Sequence, residues 1–325
     1  YHPAKTYAYQ GDRSLGLEEV LIHAVTVAEN KKQMAMAGVF YLTHSATLDA
    51  SDLWRLANRW ECVEKWADLF AYIDQREVHH DELFLPWEEF IDLANDYGVY
   101  PRGQHPEDSL RRGLEELGDH LETPVDVYLL GGGNLILRGL KDSTKDVDIV
   151  VEDGQTFFAL AESLQDLGYE ERSDLEAAYN QLDPSIVLEK DGFPRWDIFV
   201  EAVAGQLQLT PAMIERCDQS FEYGNLHVHL LSLTDIFVFK SITEREGDLE
   251  DAALIARQAD LDWESIFREI KTQEDRTGQF FSFAVLDTLD VLDERHNIVA
   301  PITDRLVSYC LENALLVSLD APKPI

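Results

Sequence analysis

Two aspartates one residue apart, Asp146 and Asp148, stand in the run DVDIVV (146–151). Strand alternation puts both carboxylates on one face and Val147, Ile149 and Val151 on the other. Like charges side by side repel, so such a pair belongs on a solvated surface or around a divalent cation. A third acid has the same setting: Arg195, Asp197 and Phe199 alternate in PRWDIFV (194–200). Three acids on neighbouring strands suit hard, oxygen-preferring Mg²⁺. Upstream, Gly131, Gly132 and Gly133 close an apolar strand-like run, and NLILRGL (134–140) reads as a short helix after them. Glycine lets backbone come close to a ligand, and amides at a helix start attract anions. From the residues alone, three readings stay open: a phosphate site, a metal site, or a turn before a half-exposed strand.

The elements that must position these residues can be read from periodicity. From about Leu15 to His120 the apolar spacing is helical, with segments LGLEEVLIHAVTVAEN, KKQMAMAGVFYLTH, SDLWRLANRW (Ser51 and Asp52 as caps) and PWEEFIDLANDYGV, which opens on Pro86 in a first turn and closes near Gly98. The echo between LWRLANRW and FIDLANDY is no better evidence for a repeat than for chance likeness of two amphipathic helices. After HPEDSLRRGLEELGDHLET the texture changes. VDVYLL and DVDIVV are strand-like, and QTFFALAESLQDLGY is helical. SIVLEKDGFPRWDIFVEAV reads as two strands around a turn at Asp191 and Gly192, and NLHVHLLS as another strand. LTDIFVFKSITEREGDLEDAALIARQA is predicted helical, as are DWESIFREIK and the segments after it, which end in a loose tail, APKPI. The expected class is α+β: a mixed-sheet domain flanked by N-terminal and C-terminal helical regions. The predicted boundaries are 1–121, 122–259 and 260–325.

The chain has 325 residues, enough for about two domains, and 45% of them are hydrophobic, which argues against global disorder. No apolar run approaches the ~18 residues of a membrane helix, so no membrane partner is expected. A first residue of Tyr1 suggests a chain trimmed from something longer. Cys62, Cys217 and Cys310 are scattered and form neither a disulfide framework nor a CxxC pair, which points to a reducing cytoplasm. The formal net charge is −35, from 62 acidic against 27 basic residues. Such an acidic, lysine-poor surface resembles proteins of salt-loving microbes such as haloarchaea, where molar salt shortens the Debye length to about 3 Å and screens self-repulsion. It argues against a broad DNA-binding face. His79–His80 read as a solvated acidic loop. His227 and His229 share a strand face without an evident third ligand. Trp54, Trp60 and Trp66 read as packing residues.

The combination of apolar–Gly–Gly, about a dozen residues, Asp–apolar–Asp–apolar and a later lone strand Asp resembles the nucleotidyltransferase superfamily of DNA polymerase β. GGxxL…RGL…STKDVDIV is similar to its minimal prokaryotic branch, which includes AbiEii-like toxins of toxin–antitoxin and phage-defence systems. Lys240, Arg245, Asp248 and Asp251 in DIFVFKSITEREGDLEDAALI match that branch's Lys–Arg–Asp helix, so the resemblance spans roughly residues 122–260. Gly132 departs from the serine that many active members carry at that place. The resemblance implies metal-dependent transfer of a nucleoside monophosphate from an NTP to an RNA or protein acceptor, with an antitoxin or toxin partner. Asp146 and Asp148 would bridge two Mg²⁺ ions, and Asp197 would complete the site of the ion that activates the acceptor. Gly131 and Gly132 would cradle phosphates, and Lys240 and Lys145 would contact the nucleotide, with Arg138 and Thr144 as further contacts. The alternative, from a different class, is a non-catalytic regulator or antitoxin-like binding protein on the same fold. All three expected acids are present, which favours the enzyme.

Overall fold

The computed structural model describes residues 15–74, 76, 78–101, 103–172, 184–203, 207–243 and 246–320. The chain divides into two compact units, Tyr1–Gln104 and His105–Ile325. In the first, five helices, α1 (Leu17–Val27), α2 (Lys31–His44), α3 (Ala50–Arg59), α4 (Val63–Ile73) and α5 (Trp87–Asp96), close over Leu21, Met34, Leu53, Trp66, Leu69 and Phe90. Their starts are set by caps one or two residues from the expected ones. Asp49, rather than Ser51 or Asp52, accepts the Asp52 amide, and Pro86 is the N-cap of α5 rather than part of its first turn. The His79–His80 loop is solvent-exposed, as read, but it is also tied down. Asp68, buried in α4, accepts the His79 amide at 2.9 Å and lies 2.6 Å from His80 Nδ1.

The second unit is built on a seven-stranded mixed sheet. Its strands are β1 (Val125–Leu130), β2 (Asp146–Val151), β3 (Glu170–Glu171), β4 (Ile186–Glu189), β5 (Arg195–Val200), β6 (Gln219–Tyr223) and β7 (Leu226–Leu230), in the order β6-β7-β1-β2-β5-β4-β3. β2 pairs parallel with β5 and antiparallel with β1. The β4–β5 hairpin and β7 fall where alternation placed them. β6 is an added strand: QSFEY carries little β-branched signal and is held by its hairpin with β7 across the turn at Gly224.

Each face of the sheet has its own core. On one, Leu110, Leu114 and Leu117 of α6 (Glu107–His120) and Leu160 and Leu164 of α8 (Gly154–Asp166) pack with Val127, Val147, Ile149 and Ile198. On the other, Tyr128, Leu130, Val150 and Phe199 meet the short α9 (Pro211–Glu215) and the C-terminal helices α10 (Leu233–Ser241), α11 (Glu246–Gln258), α12 (Trp263–Thr277), α13 (Ser282–His296) and α14 (Thr303–Asp320). Both helical layers therefore share cores with the sheet. The second unit begins at His105 because α6 gives its apolar stripe to the sheet, whereas the sequence texture drew a boundary at 121/122. Likewise, no separate core forms after residue 259. The segment LTDIFVFKSITEREGDLEDAALIARQA is two helices, α10 and α11, rather than one. No helix among the described residues is long and apolar enough to cross a membrane.

The seat of α6 depends on one glycine. A Cβ at Gly118 would lie 1.7 Å from the Tyr223 carbonyl oxygen. Helix propensity alone would make Gly118→Ala stabilising by up to about 1 kcal/mol. We expect a loss of about 1–3 kcal/mol from overpacking, measured by chemical unfolding followed by circular dichroism. A gain would show that α6 does not pack this closely.

Candidate functional site

Alternation and register together build the site. On the parallel pair β2/β5, Asp146 stands opposite Arg195 and Asp148 opposite Asp197. All four side chains emerge on the face of the C-terminal helices, in phase with Val150 and Phe199. The ligand oxygens of Asp146, Asp148 and Asp197 lie within 4.8 Å of one another. No other group of three His, Cys, Asp or Glu side chains converges in this way among the described residues. Asp197 is fully buried, while Asp146 and Asp148 are half-buried.

Next to the acids, β1 ends at Leu130 and α7 (Gly131–Leu137) begins at once, so the glycines are the helix's first turn rather than a linker before it. Gly131 has φ +65°, and a Cβ there would stand 2.0 Å from Asp148 Oδ2. A Cβ at Gly132 would stand 2.5 Å from Thr144 Oγ1. That closeness is a physical reason for glycine at this place: Thr144 already fills the position of a side chain. Asn134 fastens α7 by donating to the carbonyls of Leu129 at 2.8 Å and Leu231 at 3.0 Å.

The cations are distributed differently from expectation. Arg195, to which the sequence reading gave no role, forks onto Asp197 (Nε–Oδ1 2.7 Å, Nη2–Oδ2 2.6 Å) and reaches Asp146 Oδ2 at 2.9 Å. Its signal was present: the two-residue period that aims Asp197 inward aims Arg195 with it. Lys240 lines a cleft with Gly131, Asp148, Phe199 and Thr243, but its ammonium is paired with Asp248 and with Asp251 at 2.8 Å. Lys141 holds the other oxygen of Asp251 at 2.8 Å. Lys240 is thus placed beside the acids but closed by two carboxylates, not open to a phosphate. Lys145 precedes β2 out of phase with the acids, sharing the parity of Val147. Arg138 is committed to Asn134, Asp218 and the Leu231 carbonyl. Arg245 lies outside the described residues.

These surroundings shift the titrations. Burial, reinforced by Asp146, pushes the Asp197 carboxyl up to about 6 against the pull of Arg195. Burial, with Asp146 and Asp197 beside it, raises Asp148 well above the carboxylate range. Burial alone would lower Lys240, but Asp251 and Asp248 overcome it and hold the ammonium above its usual value. With every group ionised, five carboxylates (Asp146, Asp148, Asp197, Asp248, Asp251) face three cations (Arg195, Lys240, Lys141), leaving two negative charges. An all-oxygen donor set with that surplus fits a divalent cation of the Mg²⁺ type.

A mixed sheet carrying a paired and a third aspartate beside a glycine-started helix, flanked by helices, is an α+β nucleotidyltransferase-like fold. The chain belongs to the family described as "Nucleotidyltransferase of unknown function (DUF6036)", whose pattern matches residues 109–282. A crystal structure of an antigenic nucleotidyltransferase-like protein from Paracoccidioides brasiliensis is similar at 16% identity, covering 56% of this chain and 94% of that one, with a TM-score of 0.33. No curated protein matches the sequence.

The raised carboxyls give a pH signature. Groups whose folded pKa exceeds the unfolded value bind more protons when folded, so their stabilising share is complete at low pH and is lost as pH rises through the folded pKa. Metal-free protein in molar KCl should therefore gain thermal stability as pH falls from about 7 through about 6. Asp148→Asn should show a smaller gain, which separates the site from the chain's overall acidity. Equal slopes in the two proteins would mean that the cluster is not coupled to folding.

Proposed function

We propose that this member of a nucleotidyltransferase family is a metal-dependent enzyme that moves a nucleoside monophosphate from an NTP to an RNA or protein acceptor. The observation that carries the reading is the convergence of Asp146, Asp148 and Asp197 beside the Gly131 turn. Asp146, Asp148 and Asp197 would hold Mg²⁺, which when bound neutralises phosphate charge and favours the oxyanions that develop during transfer. In that transfer, an acceptor hydroxyl oxygen bonds to the α-phosphorus as the bond to the β-phosphate oxygen breaks. Pyrophosphate leaves and the hydroxyl gives up its proton.

The chain's own residues divide the work. The bare backbone of Gly131 and Gly132 lets this turn lie directly against Asp148 and Thr144, so a phosphate at Asp148 would meet main chain rather than a side chain there, consistent with a phosphate cradle. Leu130, Phe199 and Ile236 wall the adjoining cleft and limit water there. Lys240 keeps Asp248 and Asp251 neutralised near Asp148, and direct phosphate contact would need one of those carboxylates to be exchanged. The nucleotide contact that the resemblance implies for Lys145 would need its side chain to reach round to the acids' face from a position out of phase with them. The likeness to AbiEii-like toxins supports a place in a toxin–antitoxin pair. The charge of −35 supports a haloarchaeal protein working in cytoplasmic molar salt.

The test uses α-labelled NTPs, Mg²⁺, molar KCl and a cell extract separated into RNA and protein. Wild type should label one acceptor class, and Asp148→Asn, which keeps the shape but removes one ligand charge, should label none. In parallel melts, Mg–NTP should raise the midpoint of wild type and not that of Asp148→Asn. Equal shifts would remove Asp148 from the ligand set. No shift and no label in either protein would leave the non-catalytic regulator as the reading.

A further inference from the structure

Arg195 stands where the site has most need of positive charge. Its guanidinium uses one edge on both oxygens of Asp197 and touches one oxygen of Asp146. The side chain is largely buried, with 12% exposed, and Asp197 is fully buried, so the fork is shielded from solvent competition. Asp148 has no hydrogen-bond partner among the described residues and is the acid left without a fixed counter-ion in contact. The four side chains thus form a square of two facing pairs, with one corner already a cation.

We infer that Arg195 is a resident second cation: it occupies the Asp197 side of the cluster in the resting protein, leaves Asp146 and Asp148 to take up a single divalent ion, and must leave Asp197 before a second ion can bind. The inference rests on the metal-binding reading above and adds an order of loading to it. The physical basis is Coulombic. Within about 4–6 Å, a fixed charge changes the charged-state preference of a neighbour by one to three pKa units, a factor of ~10–1,000. A guanidinium in contact with Asp146 and Asp197 opposes a second divalent ion by the same scale. Lysine reproduces the block only in part, because a point charge does not fork across both Asp197 oxygens.

The experiment counts Mn²⁺ bound to nucleotide-free protein in molar KCl, from the loss of the free-ion paramagnetic resonance signal, with thermal melts on the same samples. Wild type should bind a single ion in its tight class. Arg195→Gln should bind a second ion at least about tenfold more tightly than wild type does, and Arg195→Lys should fall between them. Arg195→Gln strands a buried carboxylate and is expected to lower the metal-free melt, so the double variant Arg195→Gln with Asp197→Asn removes both charges together. It should return to one tight ion. Two tight ions in wild type, or an Arg195→Gln isotherm that matches wild type, would overturn the inference while leaving the metal site standing. No tight ion in any of the proteins would overturn both.

Discussion

The second unit is organised around an electrostatic constraint: three carboxylates forced together on one face of a parallel strand pair. Register leaves no freedom in the matter, because Asp146 and Asp148 on β2 sit directly against Arg195 and Asp197 on β5. Such a cluster persists only if charge around it is balanced. Arg195 balances Asp197, while Lys240 and Lys141 balance Asp248 and Asp251 on the helix that closes over the same face. What is left over is two negative charges beside a turn with room for little but backbone.

The helices can be understood as supports for that balance. α10 and α11 pack against each other as separate helices, so that Lys240 meets the Asp248/Asp251 pair, which one continuous helix would not allow for residues eight and eleven positions apart. Deeper in the same layer, Arg216 bridges Asp235 and Glu269, and Ser232 donates to Asp235 at 2.6 Å, fixing the start of α10 against α12. Removing one member of such a buried network leaves its partner's charge uncompensated, which is far more costly than losing an exposed pair. The network thus ties the placement of Lys240 to the body of the domain.

Much of the site was legible in the sequence because a period of two is unambiguous: it fixed the shared face of Asp146 and Asp148, and it singled out Asp197. The same period held Arg195, whose importance was hidden because sequence shows phase but not register. The glycines announced a close approach, but not what approaches; the neighbours are Asp148 and Thr144 of this chain. Lys240 lies beside the aspartates, yet its pairing with Asp248 and Asp251 depends on a separation into two helices that local propensity does not mark. The α6 boundary was missed for a related reason: an amphipathic stripe shows that a helix is buried on one side, not whether a helix or a sheet covers it.

The most direct test is crystallographic. Crystals of wild-type protein grown in molar KCl and soaked with Mn²⁺ and a non-hydrolysable NTP analogue should show an anomalous peak bridging Asp146 and Asp148, with the triphosphate running past Gly131. A nucleotide bound elsewhere, or Mn²⁺ scattered over the acidic surface with none at the aspartates, would contradict the assignment of this cluster as the centre of the protein's chemistry.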